Sequence, residues 1–97
     1  MILSFSPIRS RAGLSVSRSG DALIVNGQRF DFAPLPAGAL LPREAIGSEW
    51  FAGDATRDAD GTLRLALVLP HGPGASEARR FPASVEAPGD GPIPLPE

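Results

Sequence analysis

The stretch "LSVSRSGDALIVNGQRFDF", residues 14–32, carries two turn signals that together restrict the chain to one strand register. Asn26-Gly27 suits a two-residue type I′ turn, which needs positive φ at both central positions. Gly20-Asp21 suits a type II′ turn, with glycine at the first central position. The Asn26-Gly27 turn places Leu23 opposite Phe30 and Val25 opposite Gln28, and the Gly20-Asp21 turn places Val16 opposite Val25. Side chains alternate between the faces of a strand. One face therefore collects Leu14, Val16, Leu23, Val25, Phe30 and Phe32. The other carries Ser15, Ser17, Ala22, Arg29 and Asp31, with Ile24 as its apolar exception. Two separate turns agree on one buried face, as a foldable pair of hairpins requires.

A second hairpin is predicted from about Ser48 to Leu69, around "DADG". Leu63, Leu65, Leu67 and Leu69 recur with period two and share a buried face. Loop length decides what opposes them. A two-residue Asp60-Gly61 loop would put Asp54 and Asp58 on the leucine face, at a cost of several kcal/mol for the buried unpaired carboxylates. A three-residue Ala59-Asp60-Gly61 loop, with Gly61 left-handed, instead puts Phe51, Gly53 and Ala55 with the leucines. It also sets Asp54, Thr56 and Asp58 beside Arg64. The second register is expected. It sends Phe51 into the core and leaves Trp50 on the opposite face, near Val68 and Pro70. Trp50, Val68 and Pro70 form the candidate interface, with Trp50 either covered by the apolar 35–46 segment or left as an anchor for a neighbour.

The remaining chain is less regular. "MILSFSP" reads as a first strand at an edge, stopped by Pro7. Residues 33–46, "APLPAGALLPREAI", contain three prolines that forbid a regular central strand, with Pro42 expected at the first position of a single helical turn through Ile46. "PHGPGASEA" reads as a turn-rich loop and "RRFPASVEA" as a short edge strand. From Pro88 onward, "PGDGPIPLPE" reads as an extended, mobile tail. The expected organisation is one mainly β domain over residues 1–87 with a flexible Pro/Gly-rich tail at 88–97. Its strands form a small antiparallel meander, folded as one twisted sheet or a barrel-like sandwich.

Little in the sequence points to chemistry. A net charge of −2 gives no electrostatic reason to expect nucleic acid or an anionic membrane as partner. The nine basic residues are all arginine, but they are scattered, and the abundance of Ala, Gly, Pro and Arg fits GC-rich codons. There is no cysteine, so disulfides and thiolate metal sites are excluded. No apolar run has the length of a membrane span, and residues 1–13 lack the apolar centre of a signal peptide. His71, the one histidine, reads as a solvent-exposed loop residue. A calcium-loop alignment on Gly61 fails, because Thr56 and Leu67 fall where the first and last carboxylate ligands belong. No G-x-S-x-G elbow or Gly-rich phosphate loop occurs. Asp54 and Asp58 share a face, where pairing with Arg57 or Arg64 is expected rather than acid/base work. Pro92, Pro94 and Pro96 are spaced by two, which is not a P-x-x-P ligand. No catalytic, cofactor-binding or metal-ligating residue is expected.

With "MILSFSPIRS", "LSVSRSGDALIVNGQRFDF", "SEWFAGD" and "LRLALVLPHG" in place, the chain resembles a group of small proteins encoded by phages and proteobacterial prophages, typically in the tail-gene neighbourhood. The likeness covers most of residues 1–87 and weakens in the proline tail. That group offers no catalytic residues to carry over. The resemblance implies a non-enzymatic structural or assembly protein in the bacterial cytoplasm or the virion, with other phage structural proteins or its own copies as partners. A different reading of the same β architecture is a small ligand- or carbohydrate-binding module, with Trp50 as a stacking platform.

Overall fold

A computed structural model of the chain describes residues 1–10, 13–72, 84–86 and 89–93. The elements in chain order are β1 (Ile2–Arg9), β2 (Val16–Ser19), β3 (Ala22–Val25), β4 (Gln28–Asp31), β5 (Leu40–Leu41), α1 (Arg43–Ile46), β6 (Ala55–Arg57), β7 (Leu63–His71), β8 (Val85–Glu86) and β9 (Gly91–Pro92). The protein is mainly β. Its strands form a five-stranded sheet in the order β5-β6-β7-β1-β8 and a four-stranded sheet in the order β4-β3-β2-β9.

The two turns of the 14–32 stretch set the four-stranded sheet. Val16 pairs with Val25, Leu23 with Phe30 and Val25 with Gln28, the register expected from the turn residues. Asn26 and Gly27 have φ of 49° and 84°, as a type I′ turn demands of both central residues. The Asn26 side chain adds a second function. Its Oδ1 accepts from the Ser15 N–H at 2.8 Å and its Nδ2 donates to the Gly13 carbonyl at 3.1 Å, fixing the approach to β2. Val16, Leu23, Val25 and Phe32 are buried as expected, while Leu14 and Phe30 are partly buried against them. Ala22, expected on the other face, is buried too.

The five-stranded sheet departs from a simple meander. β1 runs parallel to β7, from Ile2 opposite Arg64 to Arg9 opposite His71, and β8 pairs antiparallel on its other side through Ile2 and Leu3. The first strand is therefore interior at its start, not at an edge, and it passes through Pro7 rather than stopping there. The backbone explains why proline is tolerated. The Ser10 N–H donates to the His71 carbonyl at 3.0 Å, so alternation turns the even residues of β1 toward β7 and Pro7 away from it. Pro7 faces the side that β8 reaches only as far as Ile2 and Leu3, so no ladder bond there is lost. A parallel pair needs a long crossover. Here the crossover is the excursion through β2, β3 and β4 of the other sheet, followed by the return through β5 and β6.

The β6–β7 hairpin has the expected loop. The Asp58 N–H donates to the Thr62 carbonyl at 2.8 Å, enclosing Ala59-Asp60-Gly61, and Gly61 has φ of 93°. Asp58 pairs with Arg64 at 2.8 Å, and the loop leaves both carboxylates off the leucine face. Before β6 the chain bulges. Thr56 faces Arg64, yet Phe51 bridges to Leu67, so residues 52–55 carry two more positions than their partner strand. A slip of two preserves the face, and Phe51 and Ala55 are both buried. Gly53, expected with the leucines, instead approaches Ala66, where an added Cβ would lie 3.5 Å from the Ala66 Cβ.

One core lies between the sheets. Leu3, Phe5, Leu63, Leu65, Leu67 and Leu69 come from one side, and Val16, Leu23 and Val25 from the other. Phe51 stands among them with edge-to-face contacts to Phe30 at 5.0 Å and Phe32 at 5.9 Å. Arg57 ties the layers together by polar contacts. Its Nε donates to the Leu35 carbonyl at 2.7 Å, and its terminal nitrogens donate to the carbonyls of Phe32 and Gly61 at 3.0 Å each. The same side chain, 12% exposed, reaches Asp21 at 3.4 Å. The 33–46 segment is thus held on the body of the protein. It supplies the short edge strand β5 and then α1. Pro42 caps α1 with extended backbone (ψ 148°) instead of occupying its first helical position. The Arg43 N–H is satisfied by the Asp54 carboxylate at 2.8 Å.

The tail expected from Pro88 onward begins with a docked stretch. Gly91 and Pro92 pair with Arg18 and Ser17 as β9, the Ile93 N–H donates to the Val16 carbonyl, and the Ile93 side chain is 6% exposed. Asp90 accepts from the Gly20 N–H at 2.8 Å. Pro92 is admissible because β9 is an edge strand and Ile93 supplies the donor it lacks. Residues 94–97, with the mobility expected of them, and the 87/88 boundary lie outside the described residues, as do positions 73–83 of the loop and edge strand expected over 70–87. Deleting residues 89–97 should cost about 2 kcal/mol from the loss of Ile93 burial alone. A melting temperature unchanged by the deletion would show that the segment does not dock.

Candidate interaction surface

The outer face of the five-stranded sheet follows from the register. Leu40 is paired with Thr56, Thr56 with Arg64, Arg64 with Ile2, and Ile2 with Glu86, so these residues form one row across all five strands. Ala66 and Ser4 form the next row, and Val68 and Ser6 the third. Pro70 and Ile8 form the last. Ile8 at 38% and Leu40 at 54% are the exposed large hydrophobic residues among the described residues, and both belong to this face. The outer positions of the four-stranded sheet, in contrast, hold Ser17, Ser19, Arg29 and Asp31 beside a half-buried Ile24.

The three residues of the candidate interface differ in what they offer. The Trp50 carbonyl accepts from the Val68 N–H at 2.9 Å, so the two-residue bulge sets Trp50 across from Val68, where the three-residue loop continued without a bulge would have set it across from Pro70. Trp50 is half-buried and packed against the core, and Val68 is half-buried. Pro70 is fully buried and presents no surface. Leu35, Leu41 and Ile46 of the apolar segment also pack on the core, so that segment is not free to leave the body.

The polar candidates are dispersed. Asp58 pairs with Arg64, while Asp54 receives the Arg43 N–H, so the two carboxylates are committed to separate structural contacts. His71 is not a loop residue. It ends β7 opposite Arg9, is half-buried, and its Nδ1 lies 3.4 Å from the Gly72 carbonyl. Among the described residues no group of three or more His, Cys, Asp or Glu side chains could hold a metal ion. Among the described residues, no helix is long and apolar enough to cross a membrane.

The Asp60 carboxyl is held away from its ordinary value. The Thr62 backbone N–H, donating at 3.0 Å, and the Thr62 side chain hold its pKa below the ordinary value, with Arg64 adding a smaller effect in the same direction. A depressed folded-state pKa contributes stability that is present above the unfolded value and is lost as pH falls through the folded one. The loop contribution of Asp60 should thus be constant near neutrality and disappear only in acid. Comparing Asp60→Ala with the parent chain across an acid titration checks this. A stability difference that grows as the pH drops would contradict it.

Sequence reasoning missed Arg57 as the tie between the layers, because its acceptors are backbone carbonyls with no residue-type signature. It also missed Ile8 and Leu40 as members of one face, which only the parallel pairing and the β5–β6 pairing reveal. No protein-family model, curated protein or solved structure matches the chain.

Proposed function

We propose that the protein is a non-enzymatic structural or assembly component, of the kind found in phage-tail particles, acting through protein–protein contacts made by the outer face of the five-stranded sheet. The observation that carries this reading is the placement of Ile8 and Leu40, the exposed large hydrophobic residues among the described residues, on that single face, with half-buried Val68 between Ser6 and Trp50. Apolar side chains left exposed at opposite ends of one face, with serines and threonine between them, suit a broad partner-contacting surface with a polar surround. The resemblance of most of residues 1–87 to prophage-encoded proteins supplies the context, and the partners in this reading are other structural proteins of the particle or further copies of the chain.

The test is genetic and biochemical. Deleting the gene in a lysogen that encodes it should abolish or shorten the tails seen after induction, and the chain itself should be found in purified particles or their assembly intermediates. Full-length, infectious particles made without the chain would overturn the reading.

A further inference from the structure

The outer face also holds a groove of about 250 Å³, and we infer that it is a binding site for a neutral polyhydroxylated ring, such as one sugar unit of a glycan. The groove crosses the first two rows of the sheet, between Asp54 and Thr56 at one end and Ser84, just before β8, at the other. Its apolar side chains are those of Ile2 and Ala66, and Leu65, whose side chain enters the core, also lines it. Around them stand groups whose hydrogen-bonding capacity is not consumed by the fold. Arg64 gives Nε to Asp58, and its two terminal nitrogens have no partner among the described residues. Asp54 uses Oδ1 for the Arg43 N–H, leaving Oδ2. The hydroxyls of Thr56 and Ser84 make no hydrogen bond among the described residues, and Ser4 has only a long contact of 3.5 Å to the Leu65 carbonyl.

The chemistry of these groups selects the ligand. A carboxylate, a guanidinium and three hydroxyls together offer donors and acceptors over a small apolar patch, the composition of a small-molecule site. An anion would meet the Asp54 carboxylate, and a cation would meet Arg64. A purely apolar ligand would desolvate all five polar groups without replacing their water. Ring hydroxyls do replace it, since each one donates to a carboxylate and accepts from a guanidinium, and a ring's C–H face covers Ile2 and Ala66. This site involves neither Ile8 nor Val68 and does not rest on the assembly reading.

The experiment is a titration of the isotope-labelled full chain with neutral trisaccharides of glucose, mannose, galactose and N-acetylglucosamine, followed by amide NMR shifts. At least one should give saturable shifts centred on Ser4, Thr56, Arg64, Ala66 and Ser84. The double variant Thr56→Val/Ser84→Ala removes no side-chain hydrogen bond among the described residues and should weaken that binding at least fivefold with the spectrum otherwise preserved. The inference is overturned if none of the four saturates at these amides, if the double variant binds as tightly as the parent, or if inorganic phosphate occupies the groove more tightly than the sugars.

Discussion

Leu67→Ala is expected to destabilise the protein by about 2–5 kcal/mol, a large share of the roughly 5–15 kcal/mol that holds a domain of ordinary stability together. Leu67 is fully buried at the middle of β7, opposite Phe5 of β1 and bridged to Phe51 on its other side. The substitution removes a side chain that three strands enclose. The cavity left behind has little room to collapse, because Phe51 is itself held by Phe30 and Phe32 from the facing sheet. A urea titration measures the loss as a lower midpoint at unchanged slope. A loss under about 0.5 kcal/mol would mean that the leucine face does not form the core.

Arg57→Ala should cost about 3 kcal/mol by a different mechanism. The guanidinium serves the carbonyls of Phe32, Leu35 and Gly61 and the carboxylate of Asp21, so its removal strands acceptors in both layers at once. Charged donors to backbone acceptors are stronger than neutral ones, and the contact to Asp21, which is 43% exposed, contributes least because water replaces it. Arg57→Lys should recover little, since one ammonium cannot span acceptors that a planar fork reaches in different directions. Denaturant titrations of both variants check this. Equal stability of the lysine variant and the parent would show that charge alone, rather than the fork, is required.

What was legible in the sequence is what local chemistry dictates. The Asn26-Gly27 and Gly20-Asp21 turns and the three-residue loop at Gly61 each impose a register through backbone angles that few residues adopt, and all three hold. The loop at Gly61 was decided by the carboxylates of Asp54 and Asp58, whose burial would outweigh any preference among turn types. The parallel placement of β1 on β7 was not legible, because period-two alternation in "ILSF" and "LRLALVL" assigns a face and leaves the neighbour open. The docking of residues 89–93 was hidden for the opposite reason. Their prolines argue against pairing, and two ladder positions with one buried Ile93 suffice. Trp50, Val68 and Pro70 were named from the β7 hairpin alone, and Pro70 proves buried, whereas Ile8 and Leu40 are placed on the same face only by pairings distant in sequence.

The account rests most heavily on the outer face of the five-stranded sheet as the contact surface, and Ile8→Glu tests it most directly. Ile8 is 38% exposed on that face and lies outside the core, so the charge should leave the melting temperature within about a degree of the parent. The measurement is sedimentation of induced lysates of the gene-deletion lysogen complemented with the parent or the variant chain, each expressed to the same level. The account predicts that the parent pellets with the particles and that Ile8→Glu, still folded, remains in the supernatant. Equal pelleting of the folded variant would contradict it.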